Sequence, residues 1–244
     1  RVDLDAEVSE YIDFDAGGRD IPLRRLFDHT SGIKSYTGLP DFERLGVQGL
    51  PRDSLVSIVE NEPFDFEPGE SFLYNNSGYF LLGLVIEAVT GMAYEDVIEE
   101  RLFRPAGMDD SSYCNEVAVT IGRAHGYAAV SDTEITRAPY LNHLWPFAAG
   151  SLCSTVGDLV RWNAALHGGR ILSAASYETM TTPRPLNDGT VIGYAMGLSV
   201  NEIDGHRLIG HGGGIFADQN NSDYTVTLNN EQGQQALEYY LRLA

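Results

Sequence analysis

The chain predicts an α+β fold, and three observations carry that expectation. Apolar residues recur at helical spacing as far as Thr181, the period changes to two after Pro185, and a last helical stretch, Gln234 to Leu243, follows the strands. The resulting division puts a mainly helical part in residues 1–190 and an antiparallel sheet with its terminal helix in residues 191–244. At 244 residues the two parts are expected to form one integrated domain.

Each element has its own justification. Asp20 is placed to cap a short helix with Pro22 in its first turn, Leu23, Leu26 and Phe27 on one face, and a stop near Gly32. Pro51 to Asn61 offers Leu55, Ile58 and Val59 at helical spacing. Ser77 to Val89 is apolar nearly all round, which predicts a helix buried on most sides, with Gly91 as its C-terminal stop. Tyr94 to Phe103 repeats the pattern and is expected to end at Pro105. Ser111 to Pro146 shows no clear period and reads as loops with minor strands. A further helix opens at Ser154, where Thr155 and Asp158 imitate a capping box; Leu159, Trp162, Ala165 and Leu166 form its buried face and Gly168-Gly169 ends it. Ser173 to Thr181 is a shorter helix. Gly193–Asp204, His206–Gly210 and Asp223–Asn229 read as antiparallel strands, the first two joined by an Asp204-Gly205 turn.

Composition removes several function classes. Thirty-five acidic residues against 16 basic ones give a net charge of −19. Such a surface repels phosphate backbones and anionic headgroups, so nucleic-acid binding is not expected. The longest apolar run, Tyr79 to Ile86, is far short of the roughly 18 residues a membrane span needs. Lys34 is the only lysine, and it follows Ile33 rather than the glycine that a phosphate-binding loop requires. Cys114 and Cys153 are too few and too far apart for a zinc cluster, and their spacing leaves open whether they form a disulfide. Six histidines show no His-Glu-x-x-His spacing, so neither metal nor cofactor is expected. The chain opens on Arg1 rather than Met, which reads as a processed or cut product.

Three local patterns concentrate the chemistry: His29-Thr-Ser-Gly32, Tyr74-Asn-Asn76 ahead of the buried helix, and His211-Gly-Gly-Gly214 after a strand. Taken singly, each has a bland explanation: a helix-end cap, aromatic packing, a bend where another backbone comes close. Their order is more specific. Pro68-Gly-Glu-Ser-Phe-Leu-Tyr-Asn-Asn-Ser-Gly-Tyr79, running into Leu81 to Gly91, resembles the second active-site motif and following helix of the serine β-lactamase and DD-peptidase superfamily. Ile21 to Ile33 is similar to that family's "HTSG" helix end, Ala149 to Leu159 to its later helix entry, and Gly210 to Gly214 to its third motif in the His-x-Gly form. The resemblance covers nearly the whole chain and is nearest to the branch holding class C β-lactamases, DD-carboxypeptidases and serine esterases.

The resemblance implies acyl transfer through a serine acyl-enzyme, with a small-molecule or peptide substrate and a periplasmic or secreted location. It makes Tyr74 the proton-transfer residue, which requires cationic neighbours to lower a phenol's pKa from its reference near 10. Asn76 would hydrogen-bond the substrate, and His211 would stand where the third motif usually carries lysine, touching Tyr74 and the substrate's acidic end. Gly212 and Gly213 would let the strand edge approach the substrate, and the Gly214 N–H would be one oxyanion donor. The other donor would be the nucleophile's own N–H.

The nucleophile departs from the pattern. Ser31-Gly-Ile-Lys34 is the one arithmetic match to Ser-x-x-Lys, and it is rejected because Ser31 sits at a helix end with turn-forming residues, Ser35 to Pro40, after it. Val2 to Ser9 is similar to the stretch that follows the nucleophile's helix, so the true serine and lysine are expected upstream of Arg1. Ile215 to Ser222 is also short for the strand that the family places there, and a damaged sheet is expected. An α/β-hydrolase is excluded by the lack of a Gly-x-Ser-x-Gly elbow. The alternative from another class is a noncatalytic fragment or pseudoenzyme that binds peptidoglycan-like peptides.

Overall fold

The computed structural model describes residues 2–131 and 133–213. The strand expected at Asp223–Asn229, the helix at Gln234–Leu243, Gly214 and the short stretch 215–222 lie outside the described residues. Arg1–Gly212 forms one compact unit, so the segment 191–212 shares a unit with the helical part.

Eight α-helices are described: α1 (Leu23–Phe27), α2 (Phe42–Leu45), α3 (Arg52–Glu60), α4 (Asn76–Thr90), α5 (Tyr94–Ile98), α6 (Arg104–Ala106), α7 (Val156–His167) and α8 (Ala174–Thr181). Six strands form three antiparallel pairs: β1 (Ser112–Tyr113) with β4 (Leu152–Cys153), β2 (Tyr127–Ser131) with β3 (Glu134–Arg137), and β5 (Ser199–Ile203) with β6 (His206–Gly210). Helices and antiparallel strands together make the fold α+β.

Helix α4 is the centre of the core. The Asn75 side chain accepts the Gly78 N–H at 2.9 Å to cap its start, and Gly91, left-handed at φ 67°, ends it. Phe80, Leu81, Leu82 and Val85 are buried, as are Trp145 and Phe147 from the segment that crosses the helix. Phe147 stacks edge-on to Phe80 at 5.3 Å and carries the Arg52 guanidinium 4.0 Å above its ring. Arg52 in turn pairs with Glu87 of α4 at 2.7 Å, which ties α3 to the same cluster. The Trp145 indole N–H reaches the Gln48 carbonyl at 3.0 Å, so the large ring is buried with its one donor satisfied.

Four expectations are corrected. Asp20 is not a cap: α1 starts at Leu23 after Pro22, and the N–H groups of Leu23 and Arg24 are taken by the carbonyls of Ala6 and Leu4, each at 3.0 Å. The N-terminal segment satisfies the helix start that a side chain was expected to satisfy. Pro105 does not stop the helix; a π-turn, Glu99–Phe103, leads into α6, whose first turn accommodates proline, and the stop is left-handed Gly107. Leu159 is 54% exposed, leaving Ala165 and Leu166 as the buried side of α7, although the Thr155 cap on the Asp158 N–H is present at 3.2 Å. The run Gly193–Leu198 is a tight turn rather than strand, closed by the Ala195 N–H on the Leu198 carbonyl at 2.8 Å with Gly197 at φ 73°. The Asp204-Gly205 turn has positive φ at both residues, 52° and 77°, the geometry of a two-residue hairpin. Cys114 and Cys153 form a disulfide across the β1–β4 pair, with Cα atoms 5.4 Å apart.

Candidate active site

Tyr74 lies in the extended stretch that enters α4, and the N-terminus of that helix orients everything around it. Asn75 is buried and spends its side chain on the helix cap and on the Ile33 carbonyl. Ser77 accepts the Tyr36 N–H at 2.9 Å and donates to the Lys34 carbonyl at 2.8 Å, so the loop after the "HTSG" residues is bound to the helix start. Asn76 alternates with these residues and is half-buried. Its side-chain amide donates to Thr37 Oγ1 at 3.2 Å.

The hairpin β5–β6 delivers His211 immediately after its last strand, and His211 Nε2 stands 3.2 Å from the Tyr74 hydroxyl. His211 Nδ1 faces the Gly212 carbonyl, an acceptor, so that nitrogen carries the ring proton. Nε2 then offers a lone pair, and the Tyr74 hydroxyl donates to it. A pocket of about 240 Å³ opens at this pair, with Tyr79, Ala149, Gly150 and Leu152 among its walls.

His29 completes the centre. It follows α1 at a left-handed φ of 59°, is buried to 1% exposure, and bonds Tyr194 through Nε2 at 3.0 Å. Its ring lies 4.2 Å from that of Tyr74, 4.9 Å from Tyr194 and 5.2 Å from Tyr79. Burial first, with the neighbouring His211 as a lesser cause, holds the His29 pKa down at about 3, so the His29 imidazole is neutral at physiological pH. Burial also pushes the Tyr74 phenol above its ordinary value, and no cation among the described residues offsets that. The cationic neighbours that a basic Tyr74 requires are therefore not supplied by these residues. As built, the site holds a protonated phenol beside an imidazole acceptor, an arrangement that can pass one proton between Tyr74 and His211.

Of the residues expected from sequence, Tyr74 and His211 are brought together. Asn76 does not line the pocket, and its side-chain amide is committed to Thr37. Gly212 and Gly213 are exposed, with open space where a Cβ would stand. Gly214 lies outside the described residues. Ser31 is buried to 1% exposure, its hydroxyl accepts the Ile33 N–H at 3.4 Å, and Lys34 is ion-paired with Asp65. Tyr194 was not anticipated, because nothing in its local pattern connects it to a histidine 165 positions earlier. Among the described residues no group of three or more His, Cys, Asp or Glu is placed to hold a metal ion, and no helix is long and apolar enough to cross a membrane.

Comparison with known proteins gives the chain its family. The Beta-lactamase family profile matches residues 1–233. Penicillin-binding protein 4* of Bacillus subtilis strain 168 is 30% identical over 212 residues, 80% of this chain and 46% of that protein. D-aminopeptidase of Brucella anthropi is 28% identical over 214 residues, 87% of this chain and 40% of that protein. The chain thus spans less than half the length of these curated relatives. Among solved structures, D-stereospecific amidohydrolase from Streptomyces sp. superimposes with a TM-score of 0.73 at 29% identity, over 87% of this chain and 68% of its own. D-amino acid amidase from Ochrobactrum anthropi SV3, solved with D-phenylalanine, gives a TM-score of 0.70 at 26% identity, over 86% and 63%. With the family profile running from the first residue to within the last eleven, the chain belongs to the Beta-lactamase family.

Proposed function

We propose that the chain supplies the proton-transfer and substrate-binding side of a serine hydrolase that works through an acyl-enzyme on amide or ester bonds, its substrates being D-amino-acid peptides, β-lactams or small esters. The observation that carries this reading is the Tyr74–His211 pair, 3.2 Å apart at the mouth of a pocket. In this mechanism Tyr74 returns a proton to the leaving group, and His211 holds the phenol's hydrogen bond and faces the acidic end of the substrate. Asn76 turns from Thr37 to the substrate, and Gly212 and Gly213 leave room for it beside the strand end. The Gly214 N–H is one oxyanion donor. The His-x-Gly third motif favours the class C-type branch, and a periplasmic or secreted location follows from the same kinship. The names of the relatives, D-aminopeptidase and D-amino acid amidase, favour small D-configured amides among the substrates.

The nucleophilic serine and its lysine are supplied from outside these 244 residues, because Lys34 is the sole lysine and is engaged by Asp65. The chain by itself is accordingly inactive. Two measurements test the reading. The 244-residue chain is expected to resist labelling by a fluorescent penicillin, and labelling that disappears in Ser31→Ala would overturn the placement of the nucleophile. The complete reading frame, expressed whole, is expected to contain Ser-x-x-Lys and to hydrolyse at least one of D-Ala-D-Ala peptides, p-nitrophenyl esters and nitrocefin. A frame without that motif that binds such peptides and turns over none of them would establish instead the noncatalytic, peptide-binding reading.

A further inference from the structure

Tyr74 is held from both sides by one residue. The His29 carbonyl accepts the Leu73 N–H at 3.1 Å, and His29 Nδ1 accepts the Asn75 N–H, also at 3.1 Å. The N–H groups of the two residues on either side of Tyr74 are thereby anchored to the backbone and side chain of a single histidine, whose ring also packs 4.2 Å from that of Tyr74. Three features make the anchor rigid. His29 sits at φ 59°, a left-handed conformation in which histidine, asparagine and aspartate are the residues best tolerated after glycine. Its Nδ1 receives an N–H and so carries no proton, which leaves Nε2 as the protonated nitrogen donating to Tyr194 Oη at 3.0 Å. Tyr194 is itself buried and packs at a tilt against Phe72 at 5.4 Å, which restrains the acceptor that selects this tautomer.

We propose that His29, locked in its Nε2–H tautomer by Tyr194, is the positioning residue that aims the Tyr74 hydroxyl at His211 and at the reacting centre. It touches no reacting atom. It acts through the backbone on either side of Tyr74 and through the face of the ring. The inference rests on the proposed role of Tyr74 for its catalytic consequence, whereas the clamp itself is a property of the 244 residues.

The substitutions separate the parts of the clamp. Asparagine at position 29 tolerates the left-handed backbone and presents an oxygen near the place of Nδ1, so it keeps the Asn75 bond and loses the bond to Tyr194. Leucine loses both. In the complete protein, with its best substrate, His29→Leu is expected to lower kcat on the order of tenfold to a hundredfold with KM changed by less than about twofold, the scale of a misaimed catalytic group. His29→Asn is expected to recover most of that loss, and Tyr194→Phe to lower kcat in the same direction by less. Unchanged kcat per folded molecule in His29→Leu, with only a lower melting temperature, would reduce His29 to a packing residue and overturn the proposal.

A second arm does not depend on hydrolysis. Nitrogen-15 histidine NMR on the 244-residue chain is expected to show a His29 imidazole protonated at Nε2 that does not titrate between about pH 5 and pH 8. The Tyr74 ring signals, identified by their loss in Tyr74→Phe, are expected to move in His29→Leu and less in His29→Asn. A His29 protonated at Nδ1, or Tyr74 signals indifferent to both variants, would overturn the clamp even in an active hydrolase. A locked tautomer with shifting Tyr74 signals in a protein that hydrolyses nothing would uphold the clamp and refute the hydrolase reading.

Discussion

At the scale of single residues, two side chains divide the chemistry between them. Tyr74 bears the exchangeable proton, and its phenol is raised by burial, with His211 at hydrogen-bond distance among the described residues. In the complete enzyme Tyr74→Phe is expected to reduce turnover at least about a hundredfold, the usual scale for removing a general acid–base group, and steady-state rates on the preferred substrate check it. Turnover like that of the unaltered enzyme would remove Tyr74 from the mechanism. His29 has a different signature, in stability. Its pKa is about 3 in the fold against about 6.5 when unfolded, so between those values the unfolded chain binds the extra proton. The contribution of the neutral imidazole is fully present above about pH 6.5 and is lost as the pH falls towards 3, by about 1.4 kcal/mol per pH unit. Urea unfolding at a series of pH values should therefore show a shallower acid loss in His29→Asn than in the unaltered chain, a comparison in which the shared carboxylates cancel. Equal slopes would mean that His29 titrates freely. That Tyr74 and His211 belong to one site was legible from their motifs, whereas the pairing of His29 with Tyr194 was not, since the two rings meet where the turn ahead of β5 lies against the end of α1.

At the scale of elements, α4 decides where the site can be. Its apolar length and its Gly91 stop are local signals, and the helix forms where they predict, with Asn75 found as its cap. The elements that departed from expectation are those whose ends are satisfied by distant chain: α1, whose first N–H groups are taken by Leu4 and Ala6, and Gly193–Leu198, which bends so that Gly197 can donate its N–H to the Phe27 carbonyl at 3.1 Å. Close packing gives a test of how tightly α4 is held. A Cβ on Gly83 would lie 2.4 Å from a Phe147 ring carbon and 2.5 Å from Ala148 Cβ. Phe147 is itself pinned at φ 44°, so neither neighbour retreats without cost. Gly83→Ala gains about 1 kcal/mol of helix propensity and meets an overpacking cost of about 1–3 kcal/mol. A net loss of up to about 2 kcal/mol is expected, read as a lower urea midpoint with an unchanged slope. A raised midpoint would show that the Phe147 turn yields.

At the scale of the whole molecule, covalent and electrostatic constraints act together. The Cys114–Cys153 disulfide closes a loop of 39 residues that contains the β2–β3 hairpin and returns the chain to β4, whose Leu152 lines the pocket. A loop of that size is worth about 4 kcal/mol by chain entropy, so Cys114→Ser together with Cys153→Ser is expected to lower stability by about 2–4 kcal/mol in denaturant unfolding. Equal midpoints for the disulfide-free and oxidised chains would show that strain in the fold cancels the entropic gain. The net charge of −19 acts over the entire surface and is set by composition alone.

Sequence alone determined what depends on near neighbours and on residue inventory: the α+β class, the Thr155 cap of α7, the Gly91 stop of α4, the hairpin turn at Asp204-Gly205, and the presence of a single lysine in these 244 residues. It also marked Tyr74 and His211 as belonging to one family's site. Only the tertiary structure decided that Ser31 and Lys34 are unavailable to each other, that Asn76 faces Thr37, and that one buried histidine brackets Tyr74. The reason is physical. Caps, stops and turns are decided by donors and acceptors a few residues apart, whereas a tautomer, a buried pKa and the aim of a phenol depend on which distant groups packing brings within hydrogen-bond reach.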